Sequence, residues 1–171
     1  VSAAANAPIS GRVVKLGDDV DTDVILPGAY LNMTDPAELA PHLLETYDPD
    51  VAARVSAGDV IVAGRNMGMG SSREHAVLAL KGRGVQAVVA DSFARIFLRN
   101  CLNLGLPAIA HPAAAAALRD GETVRIDLEN GLLAGEAEEW TLPRQPPFLT
   151  ELLHDGGLVP WVQRRLSQRD M

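Results

Sequence analysis

Apolar positions along this chain fall into short runs of two kinds, some alternating or continuous and others spaced as on a helix. Gly11 to Leu16 alternates enough for a first strand, and Val60 to Ala63 is the unbroken apolar run of a strand covered on both faces. Ser72 to Arg83 has helical spacing, and Val85 to Ala90 reads as a second buried strand. Ser92 is placed to cap another helix that runs to Leu104 and stops at Gly105, and Leu106 to Ala110 supplies a third strand. Strand–helix–strand–helix–strand with short connections predicts a parallel sheet with right-handed crossovers. Ligands of such sheets lie beyond the carboxyl ends of the strands, where Gly64 to Arg73 and Asp91-Ser92 fall.

The flanks have a different character. Asp18 to Asp23 is an acidic loop before Val24-Ile25-Leu26-Pro27. Pro36 to Thr46 predicts a helix with Asp35 as its cap, Pro36 at its first position and Leu39, Leu43 and Leu44 on its apolar face. Asp48 to Gly58 is a connector with one helical turn. Beyond the Asp120-Gly121 turn, Thr123 to Leu128 alternates, Asn130-Gly131 signals a hairpin, and Trp140-Thr141-Leu142 closes a β-region. Gln145-Pro146-Pro147 then leads to a helical pair, Thr150 to His154 and Leu158 to Arg169, separated by Gly156-Gly157. The expected fold is α/β, with a central parallel unit and antiparallel strands around it. It forms a single domain over residues 1–171, with 1–10 as a flexible arm.

Composition narrows the possible partners. A net charge of −7 argues against a nucleic-acid binder, which needs a basic face. The apolar residues never run to membrane length, so neither a membrane nor a nucleic acid is an expected partner. Cys101 is the single cysteine, which rules out an internal disulfide and points to a reducing, cytoplasmic setting. The opening residues lack the cationic and apolar regions of a secretion signal.

Candidate chemistry concentrates in Gly64-Arg65-Asn66-Met67-Gly68-Met69-Gly70-Ser71-Ser72-Arg73-Glu74-His75-Ala76. Its glycines allow a ligand close to the backbone, and the helix that follows favours anions at its start. Two hydroxyls and a guanidinium fork add proton handling and carboxylate or phosphate binding. Ser71-Ser72-Arg73-Glu74 is equally a capping box, with no ligand implied. The glycine spacing is neither that of a Walker loop nor that of a dinucleotide fingerprint.

Gly17 to Ile25, Gly68 to Ala76 and Ser92-Phe93-Ala94-Arg95-Ile96-Phe97 together resemble the small subunits of isopropylmalate isomerases (3-isopropylmalate dehydratases). These correspond to the mobile fourth domain of aconitase, and the resemblance extends from Gly11 to the C-terminal helices. It implies a swivelling β/β/α domain that closes over a separate large subunit, as a heterodimer or heterotetramer. It also implies a [4Fe-4S] cluster on that large subunit and not on this chain, acting as a Lewis acid on a small dicarboxylic hydroxy acid. One cysteine agrees, because a cluster needs several thiolates. Metal ligands are therefore expected to be absent from this chain, which alone should be inactive.

By the same resemblance Ser71 is the general base at the carbon next to a carboxylate, and Asp23 is a catalytic aspartate that orients polar groups. Ser72, Arg73 and Thr22 bind substrate, Arg73 through a two-pronged contact. Glu74, His75 and Arg95 are expected behind the site or at the subunit interface, with Arg95 and Arg99 gripping a partner or forming internal ion pairs. Cys101 reads as a buried core thiol. Met69 stands where the family often has cysteine. Asn32 and Met33 occupy the substrate-reading loop, where enzymes of tricarboxylic acids tend to carry arginine. With no cation for a third carboxylate, the resemblance implies isomerisation of 2- and 3-isopropylmalate in leucine biosynthesis. Citramalate, dimethylmalate or homoaconitate are alternative substrates, and a non-catalytic anion-binding regulatory module is the alternative of another class.

Overall fold

Seven strands build one mixed sheet in a computed structural model that describes residues 7–169. They are β1 (Ile9–Lys15), β2 (Val60–Ala63), β3 (Ala87–Ala90), β4 (Ala108–Ala110), β5 (Thr123–Asp127), β6 (Leu132–Ala134) and β7 (Glu139–Thr141), in the spatial order β4-β3-β2-β1-β5-β6-β7. From β1 through β4 the pairing is parallel, with Val13 opposite Val60 and Ile61 opposite Val88. From β1 through β7 it is antiparallel, with Ile9 opposite Ile126 and Leu133 opposite Trp140. The parallel unit matches the expectation. The antiparallel strands do not surround it; they extend the sheet from one edge only. With β2 on one side of β1, the Asn130-Gly131 hairpin can add β6 and β7 only on the other.

β2 and β3 are buried at every position, so alternate residues feed two cores. Ile61, Ala63, Val88 and Ala90 pack with Leu39, Leu43, Leu44, Val77, Leu80 and Phe97. Val60, Val62, Ala87 and Val89 pack on the other face with Ala114, Leu118, Val124 and Leu133. The crossover helices on the first face, α4 (Glu74–Gly82) and α5 (Arg95–Asn103), begin at the carboxyl end of β2 and β3. The C-terminal pair, α7 (Pro147–His154) and α8 (Leu158–Arg169), packs against α5.

Several boundaries differ from the sequence expectation for physical reasons. The acidic stretch contains a short helix, α1 (Thr22–Ile25), because the Asp21 carboxylate caps it, accepting from the Asp23 N–H at 2.7 Å. The helix expected over Pro36 to Thr46 stops as α2 (Pro36–Leu39), followed by a 3₁₀ turn at Ala40–His42. Pro41 has no N–H to continue the helical ladder, and Leu43 turns extended. Leu39, Leu43 and Leu44 are buried as expected. The connector after Asp48 carries α3 (Pro49–Arg54), and α7 begins three residues ahead of Thr150. An unexpected helix is α6 (Pro112–Ala117), where His111 Nδ1 accepts from the Ala114 N–H at 3.1 Å. A proline followed by five alanines was its available signal. β1 takes in Ile9 and Ser10, which were expected in the arm; residues 1–6 of that arm lie outside the described residues. No helix among the described residues is long and apolar enough to cross a membrane.

Candidate active site

Three loops meet beyond the carboxyl ends of β1, β2 and β3. The loop after β2 lies between the other two and is joined to each by backbone hydrogen bonds. On the β1 side, Gly68 N–H donates to Val20 O at 2.8 Å and Thr22 N–H to Met69 O at 2.9 Å. On the β3 side, Met67 N–H donates to Ser92 O at 2.9 Å and Ala94 N–H to Met67 O at 3.0 Å. Asp18 fastens the root of the loop, accepting from the Arg65 N–H at 2.8 Å and from its guanidinium Nη2 at 2.8 Å. These contacts, the backbone N–H first, hold the Asp18 carboxyl below the usual carboxylate range. Asp18 is thus structural, as is Asp21 through its cap.

Two glycines make the turn possible. Gly70 has φ +90°, and a Cβ there would come within 2.5 Å of an Asp21 carboxylate oxygen. Gly68 has φ +78°, and a Cβ there would fall 2.0 Å from Cγ of Phe97. The chain then runs outward through Ser71 and Ser72, both exposed.

The capping-box alternative does not form. α4 starts at Glu74, with Arg73 in extended conformation as the capping residue and no side-chain cap bond. After the bridge of Met69 to Asp21 the chain bends at Gly70 and Ser71, and the helix begins only at Glu74, three residues beyond Ser71. Ser92 is likewise no helix cap: its Oγ accepts from the Asn66 N–H at 2.8 Å, and Ala94 precedes α5 without a side-chain cap.

Thr22, expected to bind substrate, supports the loop in this structure. It is 1% exposed, and its hydroxyl donates to the Ser71 carbonyl at 2.9 Å. That bond fixes the Ser71 backbone and leaves the Ser71 hydroxyl to solvent. Arg73 pairs with Asp23 through Nη1 and Oδ1, and the same Nη1 lies 3.5 Å from Leu26 O. The Arg73 side chain is 15% exposed against 54% for Asp23. The guanidinium is therefore seated against the end of α1, and its Nη2 makes no hydrogen bond among the described residues. That free edge is available to an anion.

Glu74 is exposed at the first turn of α4 and His75 is half-buried beside it. Arg95 and Arg99 are exposed and make no ion pair among the described residues, so the internal pairing is not found. With Ile96, Ala94, Gly68 and Gly70 they line a cavity of about 490 Å³ next to the Ser71 turn. Asn32 is exposed, whereas Met33 is half-buried against the first core. Cys101 is fully buried, as expected, and burial pushes its thiol up to about 12. A thiol so placed cannot act as an iron ligand, and no group of three His, Cys, Asp or Glu among the described residues is arranged to hold a metal ion. A larger cavity of about 750 Å³ lies between Glu129, Arg144 and the C-terminal helices, and no predicted site residue lines it.

The family profile described as the aconitase C-terminal domain matches residues 20–114, more than half of the chain and all three site loops from Val20 onward. The chain belongs to the aconitase C-terminal domain family. Among relatives of this aconitase-family chain, the 3-isopropylmalate dehydratase small subunit of Moorella thermoacetica is 50% identical over 161 residues, covering 93% of this chain and 97% of the relative. The 2,3-dimethylmalate dehydratase small subunit of Eubacterium barkeri is 46% identical over 154 residues, covering 89% of this chain and 94% of the relative. The crystal structure of a 3-isopropylmalate dehydratase from Methanocaldococcus jannaschii superposes with a TM-score of 0.88 at 44% identity, covering 96% of this chain and 98% of that one. Sharing that fold, this aconitase-family chain has the mixed sheet in which the Gly64–Arg73 loop is framed on both sides.

Proposed function

We propose that this chain is the small subunit of a 3-isopropylmalate dehydratase, interconverting 2- and 3-isopropylmalate by loss and return of water in leucine biosynthesis. The observation that carries the proposal is the juxtaposition of an exposed Ser71-Ser72 pair with a guanidinium seated by Asp23. A cytoplasmic heterodimer or heterotetramer with a large subunit is the proposed form. The [4Fe-4S] cluster is assigned to that large subunit, since the thiol of this chain is sealed in its core. Such a cluster supplies Lewis-acid assistance to a departing hydroxyl when bound.

This chain supplies the proton and carboxylate handling. Ser71 removes the proton from the carbon next to a carboxylate and returns it to the alkene. A serine alkoxide is stable only in a strongly positive environment, which the Arg73 guanidinium two residues along the chain provides. Ser72 and the free edge of Arg73 hold the substrate carboxylate, while Asp23 fixes the guanidinium in the orientation this requires. Thr22 keeps the Ser71 backbone in place. Arg95, Ile96 and Arg99 meet the large subunit where it closes over the site, with His75 and Glu74 behind it.

Asn32 and Met33 put no cation in the substrate-reading loop, and enclosing an unpaired third carboxylate would cost several kcal/mol. Anaerobic reconstitution with the large subunit encoded in the same genome, followed by alkene absorbance, tests the substrate class. The highest kcat/KM is expected for isopropylmalate, with citramalate or 2,3-dimethylmalate next and citrate and homoaconitate at least about 10²-fold lower. Faster turnover of a tricarboxylic acid would contradict the assignment. Absence of turnover on every acid would favour the non-catalytic module.

A further inference from the structure

Three side chains at the root of the Asn32-Met33 loop take no part in the roles above. Tyr30 ends a 3₁₀ turn (Gly28–Tyr30), and its ring stacks on His42 with centroids 3.6 Å apart and planes inclined by 15°. The Tyr30 hydroxyl donates to Glu45 Oε1 at 2.8 Å, and Glu45 Oε2 meets His42 Nδ1 at 2.9 Å. Both oxygens of one carboxylate are thus committed to the two stacked rings. The His42 contact first, and then the Tyr30 hydroxyl, hold the Glu45 carboxyl below its usual range, so it stays an anion at neutral pH.

Bringing Glu45 to this position requires an unusual backbone. Leu44 is buried and sits at φ +59°, a region that bulky side chains rarely adopt. Such residues persist where the surroundings impose them, often at functional sites. The other two non-glycine residues with positive φ among the described residues are Asp19 and Asn66, both in the loops of the candidate site. The Leu44 N–H donates to Ile25 O at 2.9 Å, the last residue of α1, the helix whose Asp23 pairs with Arg73. Gly28 also lies against that guanidinium: a Cβ there would stand 3.3 Å from Arg73 Nη1 and 3.5 Å from Nη2. The segment carrying His42, Leu44 and Glu45 is therefore bonded to Ile25, which precedes Leu26, and to Tyr30, two residues after Gly28, and both Leu26 and Gly28 lie against Arg73.

We propose that Tyr30, His42 and Glu45 form a clamp that holds the Gly28 to Thr34 loop against Arg73 and thereby sets the position of the carboxylate grip. The inference rests on the role of Arg73 given above. The three are positioning residues, acting on substrate through the loop and the guanidinium.

Two variants test the clamp. Tyr30→Phe keeps the ring and its stack but removes the hydroxyl, and Glu45→Gln keeps the shape but removes the charge. In the reconstituted enzyme each is expected to raise KM for 3-isopropylmalate about tenfold while kcat changes by less than about twofold. In the full-length small subunit, amide hydrogen exchange over residues 28–34 should quicken about tenfold while β2 and β3 keep their protection. Wild-type KM and wild-type loop exchange in both variants would overturn the clamp. Loss of protection across the whole sheet in both would overturn it too, because the three side chains would then serve the fold at large. If the wild-type pair turned over no substituted malate, the functional assignment would fall, while the exchange measurement would still decide the clamp.

Discussion

Ser71→Ala in the assembled enzyme is expected to lower kcat by about 10²- to 10⁴-fold, the range contributed by a positioned general base. KM, subunit association and melting temperature should stay close to wild type. The selectivity follows from which part of Ser71 the fold uses. Thr22 holds its backbone carbonyl, and its left-handed neighbour Gly70 shapes the turn, so the alanine variant retains every structural contact of that residue. A serine that capped α4 would behave differently, losing about 1 kcal/mol of stability on replacement and leaving kcat alone. With α4 beginning at Glu74, that outcome is not expected. Steady-state rates from alkene absorbance, with a thermal melt of the same preparation, separate the two. A variant with full kcat would remove Ser71 from the chemistry.

Arg73→Lys should lower kcat/KM by about 10²- to 10³-fold. A guanidinium can face Asp23 and Leu26 O with one edge and a substrate carboxylate with the other, whereas an ammonium is a single point of charge. Losing one or two charge-assisted hydrogen bonds at about 1.5–3 kcal/mol each accounts for a change of that size. The loss should be the same for isopropylmalate and citramalate, since both present the shared carboxylate. A lysine variant with wild-type kcat/KM would show that the carboxylate is held elsewhere. A loss confined to one acid would make Arg73 a specificity residue instead of a general grip.

Much of this architecture was legible in the sequence because the relevant signals are local. The apolar runs of β2 and β3 admit only a doubly covered strand, and the glycine-rich turn between strand and helix marks a ligand edge. The Asn130-Gly131 hairpin was equally direct, although the side of the sheet it extends depends on β2 already pairing with β1. Less legible were features settled by contacts distant in sequence. Ser71 and Ser92 both stand near helix starts, and local pattern favours capping for each. The bridges of Met69 to Asp21 and of Met67 to Phe93 tie these stretches to neighbouring loops, and the helices begin only at Glu74 and Arg95. Thr22 was given a substrate role by the family resemblance alone, and its burial beneath the Ser71 carbonyl had no sequence signal. The seat of Arg73 against Asp23 and Leu26 O, the latter 47 residues away in the chain, had no local signal beyond opposite charge. The Tyr30, His42 and Glu45 clamp was hidden for a related reason. Pro41 and the left-handed Leu44 interrupt what reads as one helix, and that interruption brings Glu45 to Tyr30.

The proposed division of the dehydratase site leaves one half on this chain and the other on a large subunit. Its most direct test is a titration of this chain into a fixed, anaerobically prepared amount of the cluster-loaded large subunit, with isopropylmalate turnover as the signal. Negligible rates are expected for either component alone, rising to saturation as the chain approaches equivalence with the large subunit. A large subunit that turned over isopropylmalate equally well without this chain would contradict the claim, and so would a mixture in which no turnover appeared at any ratio.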